Sequence, residues 1–370
     1  MKWFGRKAAR ADARPFLFAG WRRGFAGEPW PRSYEAQVRE AYLGNAIAQR
    51  AARMVAESVA WAPVYANDAR EGTERLVPPA LLETMATHLL LHGNAFVQIA
   101  QDGDAMPAEL FALRPERVTI EADAAGWPAA YVYKVGEAKS RIAARDALGR
   151  PGIAHVKSAH PLDDHYGLGV LGAAAPAVAV HNAAAKWNKA LLDNAARPSG
   201  ALVYDPGDGA ALSTDQFDRL RAEMEAQFAG ADNAGRPLLL EGGLRWQAMS
   251  LTPADMDFVA LKAAAAREIA LAFGVPPMLL GLPGDATYAN YKEANRALWR
   301  LTVLPMAEKM LRGIGDALAV WWPGLKLAVD VDQVSALAED RERLWAQVSR
   351  ADFLSDAEKR AMLGFEGDRP

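Results

Sequence analysis

The sequence predicts an α+β subunit that is mainly helical, and three observations carry that prediction. Apolar residues recur near helical spacing over four long stretches, residues 33–60, 175–196, 252–273 and 287–322. Between residues 95 and 135 the period shortens to β-branched and aromatic runs cut by Asp-Gly, Pro and Gly-Trp-Pro, the mark of a small antiparallel sheet. Two of the long helices are separated by a mixed excursion, which reads as a stalk with a tip. At 370 residues and 51% hydrophobic, the chain is long enough to bury a core and to form more than one subdomain.

Residues 1–32 come first, with Lys2, Arg6, Lys7, Arg10, Arg14, Arg22 and Arg23 interleaved with Trp3, Phe4, Phe16 and Trp21. No stripe is sustained there, so the segment reads as a basic N-terminal arm, and its broken, charged start is not a signal peptide. Ser33 is a candidate N-cap for one long helix carrying Val38, Tyr42, Ile47, Met54 and Val55. A second helix ends near His92 at "HGN", and the sheet follows. The helix 175–196 is stopped by Arg197-Pro198, because the residue before proline is pushed out of the α region. In the excursion, Ser213 and Gln216 form a capping box opening a helix that Gly230 closes. The short strands "ALVYD" (201–205) and "RPLLLEGG" (236–243) flank it. The next helix opens at Thr252, Pro253 and Asp255 and stops at Gly274 before Pro276 and Pro277. Gly281, Pro283 and Gly284 then deny regular structure until "TYANYKEANRALWR", a long helix that Pro305 should kink and on which Trp299 should be packed.

Composition excludes several classes. Zero cysteines rule out disulfide scaffolds and thiolate metal sites and fit a reducing interior. The most apolar stretch, 168–185, is alanine-rich and interrupted by Pro176, His181 and Asn182, so no membrane span is expected and the chain reads as soluble and intracellular. With 42 basic against 45 acidic residues, the net charge of −3 argues against tight, counterion-releasing nucleic-acid binding by the chain as a whole. "GLGVLG" (167–172), with Asp193 about twenty residues on, matches the dinucleotide fingerprint formally. Its context fails, since a polar proline-containing loop precedes it where a buried strand is needed. His160, Asp163, Asp164 and His165, with His155 nearby, form a polar loop better read as solvated surface than as a metal site. His88 and His92 lack the glutamate of a zinc-protease helix and read as helix-end packing. No nucleophile elbow and no Walker lysine occurs, so no catalytic, cofactor or metal residue is assigned and an ATP-driven motor would have to be a partner.

The segments "HGNAFVQI" (92–99), "GLGVLGAAAPAV" (167–178), "ARPSGALV" (196–203), "NAGRPLLLEGGLRWQAMSLTPADMDFV" (233–259), "FGVPPMLLG" (273–281), "ATYANYKEANRALWRLTVLPM" (286–306) and "LSDAEKRAMLGF" (354–365) stand in the order of a known family. From about residue 35 the chain resembles the portal proteins of tailed phages and phage-derived gene transfer agents. The resemblance implies a portal-type subunit, closing into a ring usually of twelve. The α/β wing would be 33–176, the stem helices 177–198 and 246–273, the small α/β clip 199–245, the tunnel loop 274–291, the long kinked wing helix 292–325, and a short crown remnant 326–370. The loop's contacting residues would be Leu282, Pro283, Gly284, Asp285, Thr287, Tyr288, Asn290 and Tyr291, hinged at Gly274, Pro276, Pro277 and Gly281. The clip is net negative, and Asp215, Asp218, Glu223 and Glu225 would form its docking surface. The implied partners are further copies of the chain, double-stranded DNA passing without sequence readout, the terminase large subunit, a head-tail adaptor and the major capsid protein. The implied place is a virion or gene transfer agent particle assembled in the bacterial cytoplasm. Two other classes stay open at this point, a non-portal assembly adaptor and a cytosolic enzyme of unrecognised type.

Overall fold

The chain is described by a computed structural model over residues 33–67, 72–193, 200–204, 213–228, 244–248, 258–282 and 288–363. Ser33 is extended and its Oγ accepts from Ala36 N–H at 3.3 Å, as a cap should. Helix α1 (Tyr34–Gln37) runs into a π turn over Val38–Leu43. The single long helix expected from Ser33 is in fact two, because the chain breaks at Gly44-Asn45 before α2 (Ala46–Ala60). Asn45 makes the break. Its backbone is extended and its Oδ1 accepts from Ile47 N–H at 3.1 Å and Ala48 N–H at 3.0 Å, so it starts a new helix where the apolar spacing alone shows none. Helix α3 (Pro79–Leu91) begins with proline where a missing N–H costs nothing, and stops at His92 with Gly93 left-handed at φ 85°.

The small sheet expected after "HGN" is two antiparallel sheets. Strands β2 (Asn94–Gln101), β3 (Pro107–Leu113) and β7 (Ile153–Lys157) pair in the order β3-β2-β7, and β4 (Val118–Ala122), β5 (Pro128–Val135) and β6 (Ala138–Ala143) in the order β4-β5-β6. Alternation along β2 explains the division. Ala95, Val97 and Ile99 join the helical core, whereas Phe96 points to the other face and builds a second core with Leu113, Val118, Tyr131 and Ile153. Three connecting loops share one turn, two of them in hairpins and the third closed by the Arg145–Pro151 bridge. Asp102, Asp123 and Asp146 each accept through Oδ1 from two backbone N–H groups ahead, at 2.8–2.9 Å, and the fourth residue of each turn is left-handed: Ala105, Gly126 and Gly149.

Helix α4 spans Leu171–Asp193 and so begins before the stem boundary expected at residue 177, with Pro176 inside it. The proline is tolerated because the carbonyl it leaves without a donor belongs to Gly172, which is exposed to water. Beyond it, β8 (Gly200–Tyr204) and β9 (Leu244–Ala248) pair antiparallel, and α5 (Thr214–Phe228) carries the expected capping box: Ser213 N–H to Gln216 Oε1 at 2.9 Å and Gln216 N–H to Ser213 Oγ at 3.3 Å. The partner strand is thus 244–248, which overruns the expected clip boundary at Arg245. Residues 236–243, expected as that strand, lie outside the described residues. So do Thr252, Pro253 and Asp255, and the returning helix α6 is described over Phe258–Ala272.

The last long helix has three parts: α7 (Tyr288–Leu298), a π turn over Trp299–Val303, and α8 (Leu304–Leu318). Pro305 falls at the start of α8, directly after the widened turn. Trp299 is half-buried against the core rather than enclosed by it. The stripe Ala307, Met310, Leu311, Ile314 and Leu318 of α8 lies against α2 and α3 and makes the centre of the main core. Strand β10 (Leu327–Val329) then returns to pair with β1 (Val64–Ala66), and two short helices, α9 (Ala338–Ser349) and α10 (Asp356–Met362), close the described chain.

Candidate functional site

The features that could serve a function are built around one backbone crossing. Residues 167–170 run over the end of α3, where Val170 N–H donates to Leu90 O at 2.7 Å and Ser158 N–H to Gly93 O at 2.8 Å. Side chains do not fit there. A Cβ on Gly167 would stand 2.0 Å from Gly93 O, one on Gly169 2.3 Å from Leu91 O, and one on Gly93 2.4 Å from Leu168 C. The first two glycines of "GLGVLG", Gly167 and Gly169, therefore face the chain's own backbone, and the surface a pyrophosphate would need there is already filled. Asn94, fully buried, fastens the crossing: Oδ1 accepts from Gly167 N–H at 2.7 Å and lies 3.1 Å from His155 Nε2, and Nδ2 donates to Gly167 O at 3.2 Å. Sequence reasoning missed Asn94, because an asparagine after "HG" reads as turn chemistry and not as a buried clamp.

The histidines around this crossing are packed groups. Burial drives His88 down to about 4, helped by His92 and Arg114, and drives His155 down to about 3, helped by Lys157, His92 and His165. His92 is lowered by burial and meets the Tyr34 ring edge-on at 4.8 Å, while His155 stacks on Phe96 at 4.2 Å. In the loop after β7, Asp163 Oδ1 accepts from His165 and Tyr166 N–H at 2.8 and 2.9 Å, and His160 Nδ1 accepts from Leu162 N–H at 3.1 Å. These groups serve local turns. Among the described residues no set of three His, Cys, Asp or Glu side chains is placed to hold a metal ion, and no helix is long and apolar enough to cross a membrane.

From the crossing, α4 leaves with α6 packed along it, and Trp187 stacks on Phe258 at 6.1 Å. The pair is tied to the first helices by polar contacts: Asn45 Nδ2 donates to Asn182 Oδ1 at 2.8 Å and lies 3.2 Å from His181 Nδ1, and Asn182 Nδ2 donates to Glu40 Oε1 at 2.9 Å. Large apolar side chains still face outward from this pair, with Val259 83% and Leu271 77% exposed and Val180 and Leu261 also exposed. A helix pair with this much uncovered apolar surface fits an assembly interface.

The segment after α6 is more regular than the loop expected of it. Gly274 is left-handed at φ 67°, with Thr302 Oγ1 donating to its carbonyl at 2.7 Å and Val275 buried behind it. Pro276 leads into a 3₁₀ turn over Pro277–Leu280, whose Leu279 and Leu280 pack on the core, and Gly281 ends the turn left-handed at φ 71°. Proline at the first turn position and leucines facing the core give a turn to a stretch that glycine and proline content alone read as irregular. Leu282 is half-buried, Pro283, Gly284, Asp285 and Thr287 lie outside the described residues, and Tyr288, Asn290 and Tyr291 belong to the first turns of α7, where Asn290 and Tyr291 are exposed. On α5, Asp215 and Asp218 are exposed, whereas the side chains of Glu223 and Glu225 lie outside the description.

Helix α7 is in turn clamped to α9. Arg296, almost fully buried, donates to Glu293 at 2.8 Å and to Glu339 at 2.6 Å and faces Asp340 at 3.5 Å, and Lys292 pairs with Glu339. Arg296 gave no signal in the sequence, since an arginine on an amphipathic helix reads as solvated.

Known proteins resemble this chain in sequence and fold. Residues 46–364 match the family model described as phage portal protein. A protein of Rickettsia felis is 42% identical over 89% of this chain and 90% of its own. A probable portal protein of Streptomyces phage phiC31 is 25% identical over 72% of this chain and 62% of its own. A chain in the neck of a native gene transfer agent particle, computed with C12 symmetry, is 46% identical, covers 94% of this chain and 98% of its own, and superimposes with a TM-score of 0.68. An HK97-family phage portal protein from Corynebacterium diphtheriae, 16% identical with a TM-score of 0.59, shares the fold over 82% of this chain and 96% of its own.

Proposed function

This chain belongs to the phage portal protein family, and from that premise we propose that twelve copies close into a ring at one vertex of a capsid or gene transfer agent particle, through which double-stranded DNA enters and leaves. The observation that carries the reading is the near end-to-end match to a neck chain of a C12-symmetric particle. The uncovered apolar residues on α4 and α6 support it, because neighbouring copies in a ring would cover them. A bore that lets any sequence slide must avoid base-edge readout and firm phosphate pairing. In this reading residues 282–291 face the bore and touch DNA weakly, and the excursion between β8 and β9, with Asp215 and Asp218 outward on α5, docks the terminase large subunit and later the head-tail adaptor. The wing sheets meet the major capsid protein.

Native mass spectrometry of the purified chain tests the ring, with an expected particle about twelve times the 39.9 kDa subunit. A monomer or dimer at every concentration would remove it. Deleting residues 282–286 should leave the ring intact and lower DNA retention. Deleting residues 200–243 should abolish co-purification with the motor's large subunit, and wild-type recovery would overturn the docking assignment.

A further inference from the structure

Strand β7 is an outer strand of its sheet, and half of its main chain faces away from that sheet. Ser158 N–H donates to Gly93 O at 2.8 Å and Ile99 N–H to Gly152 O at 3.0 Å, so the alternating ladder turns residues 152, 154, 156 and 158 toward β2 and the main chains of His155 and Lys157 outward. Among the described residues, neither outward N–H has a partner. A cleft of about 440 Å³ opens in front of them, with α8 as its other wall. That wall stands close because residue 313 is glycine: a Cβ there would lie 2.6 Å from Val156 Cγ2. Glu308 and Asp316 on the wall are balanced by Lys309 and Arg312, while Lys157 Nζ is engaged by the Asp164 carbonyl. With side-chain charge balanced, the exposed ladder edge is the specific element, and what fits it is an extended peptide added as a strand.

We propose that the occupant is the chain's own N-terminal arm, residues 1–32, laid along β7 as a fourth strand. The described chain starts at Ser33, and Tyr34 packs on His92 at 4.8 Å, which lies 3.0 Å from Asn94, itself 3.1 Å from His155. The arm therefore joins the fold within three side chains of the cleft, and 32 residues reach far beyond it. Its run Pro15-Phe16-Leu17-Phe18-Ala19 is uncharged and rich in aromatic residues, which suits an edge whose wall charges balance. Docking would cover an edge that otherwise invites aggregation.

Residue-resolved amide exchange on the full chain and on a variant starting at Ser33 tests this. His155 and Lys157 amides should exchange at least about ten-fold slower in the full chain, with the inward Val156 amide unchanged between the two. Equal rates at His155 and Lys157 would overturn the proposal. A second measurement does not depend on truncation. The sequence has no native cysteine, so Lys309→Cys combined in turn with Phe16→Cys, Leu17→Cys or Phe18→Cys should give a disulfide within one chain on mild oxidation. Bonding only between chains, which would mean a second copy's arm, or bonding no better than to a Leu162→Cys control, would overturn it.

Discussion

The chain has two glycine-rich stretches that look alike on paper, "GLGVLG" at 167–172 and "GVPPMLLG" at 274–281, and they use glycine for opposite reasons. In the first, two of the three glycines are absences: Gly167 and Gly169 exist so that one backbone can lie on another, with would-be Cβ atoms at 2.0 and 2.3 Å from carbonyl oxygens. In the second, Gly281 has open space around it and is required by its left-handed backbone at φ 71°. Gly274 belongs to both classes, since it is left-handed and also abuts Thr302 Oγ1 at 2.7 Å. Composition cannot separate a glycine that admits a neighbour from one that admits a dihedral angle. Only the neighbour's position does.

That contrast is breakable by substitution. Gly167→Ala should have the largest effect, at or above the upper end of the roughly 1–3 kcal/mol that overpacking costs, because the obstruction is backbone and cannot swing aside. A chemical-denaturation midpoint within error of the parent would show that the crossing is looser than drawn. Acid should attack the same crossing. His88, His92 and His155 have folded values below their ordinary 6.5, so the unfolded chain binds protons first as pH falls. Their contribution is fully present above about pH 6.5 and is lost progressively toward about pH 3, a drop on the order of a few kcal/mol that thermal scans across this range would record. An unchanged midpoint between pH 7 and pH 5 would mean these rings are hydrated. Gly281→Ala meets no atom and should cost only about 1–2 kcal/mol, the penalty of the left-handed backbone. A loss as large as that of Gly167→Ala would show that the second stretch is also a contact. The smallest effect sharpens the dihedral class. Ala105 holds at φ 56° the turn position that glycine fills in the two sister turns, so Ala105→Gly should raise stability by up to about 1 kcal/mol. Destabilisation would mean that the methyl group earns its place by packing.

Much of the architecture was legible because it rests on local chemistry. Ser33 capping Ala36, the Ser213–Gln216 box and the stop at His92-Gly93 each need only neighbours in sequence, and each stands as read. Asn45 was missed because its side chain ends one helix and begins another inside an unbroken apolar rhythm. The division into two sheets was hidden because it depends on which side of β2 Phe96 faces. The clamps at Asn94, Thr302 and Arg296 join positions 28 to 73 residues apart, and no local pattern records such pairs. The irregular stretch read between Gly274 and Gly281 shows the converse: residues that break helices also build short packed turns, here over Pro277–Leu280.

The π turn at Trp299–Val303 joins two stretches that answer to different partners, since α7 reaches Glu339 on α9 through Arg296 while α8 presents Met310 and Ile314 to the main core. One surplus residue per wide turn offsets the angular phase of everything before it by about 100° relative to everything after it. Removing a single residue from this turn would restore an ordinary helix, yet it would disturb the Thr302 clamp on Gly274 and swing Arg296 a quarter-turn or more away from its carboxylates. The segment therefore tolerates a change of letter far better than a change of length, because the helix keeps time for two surfaces at once.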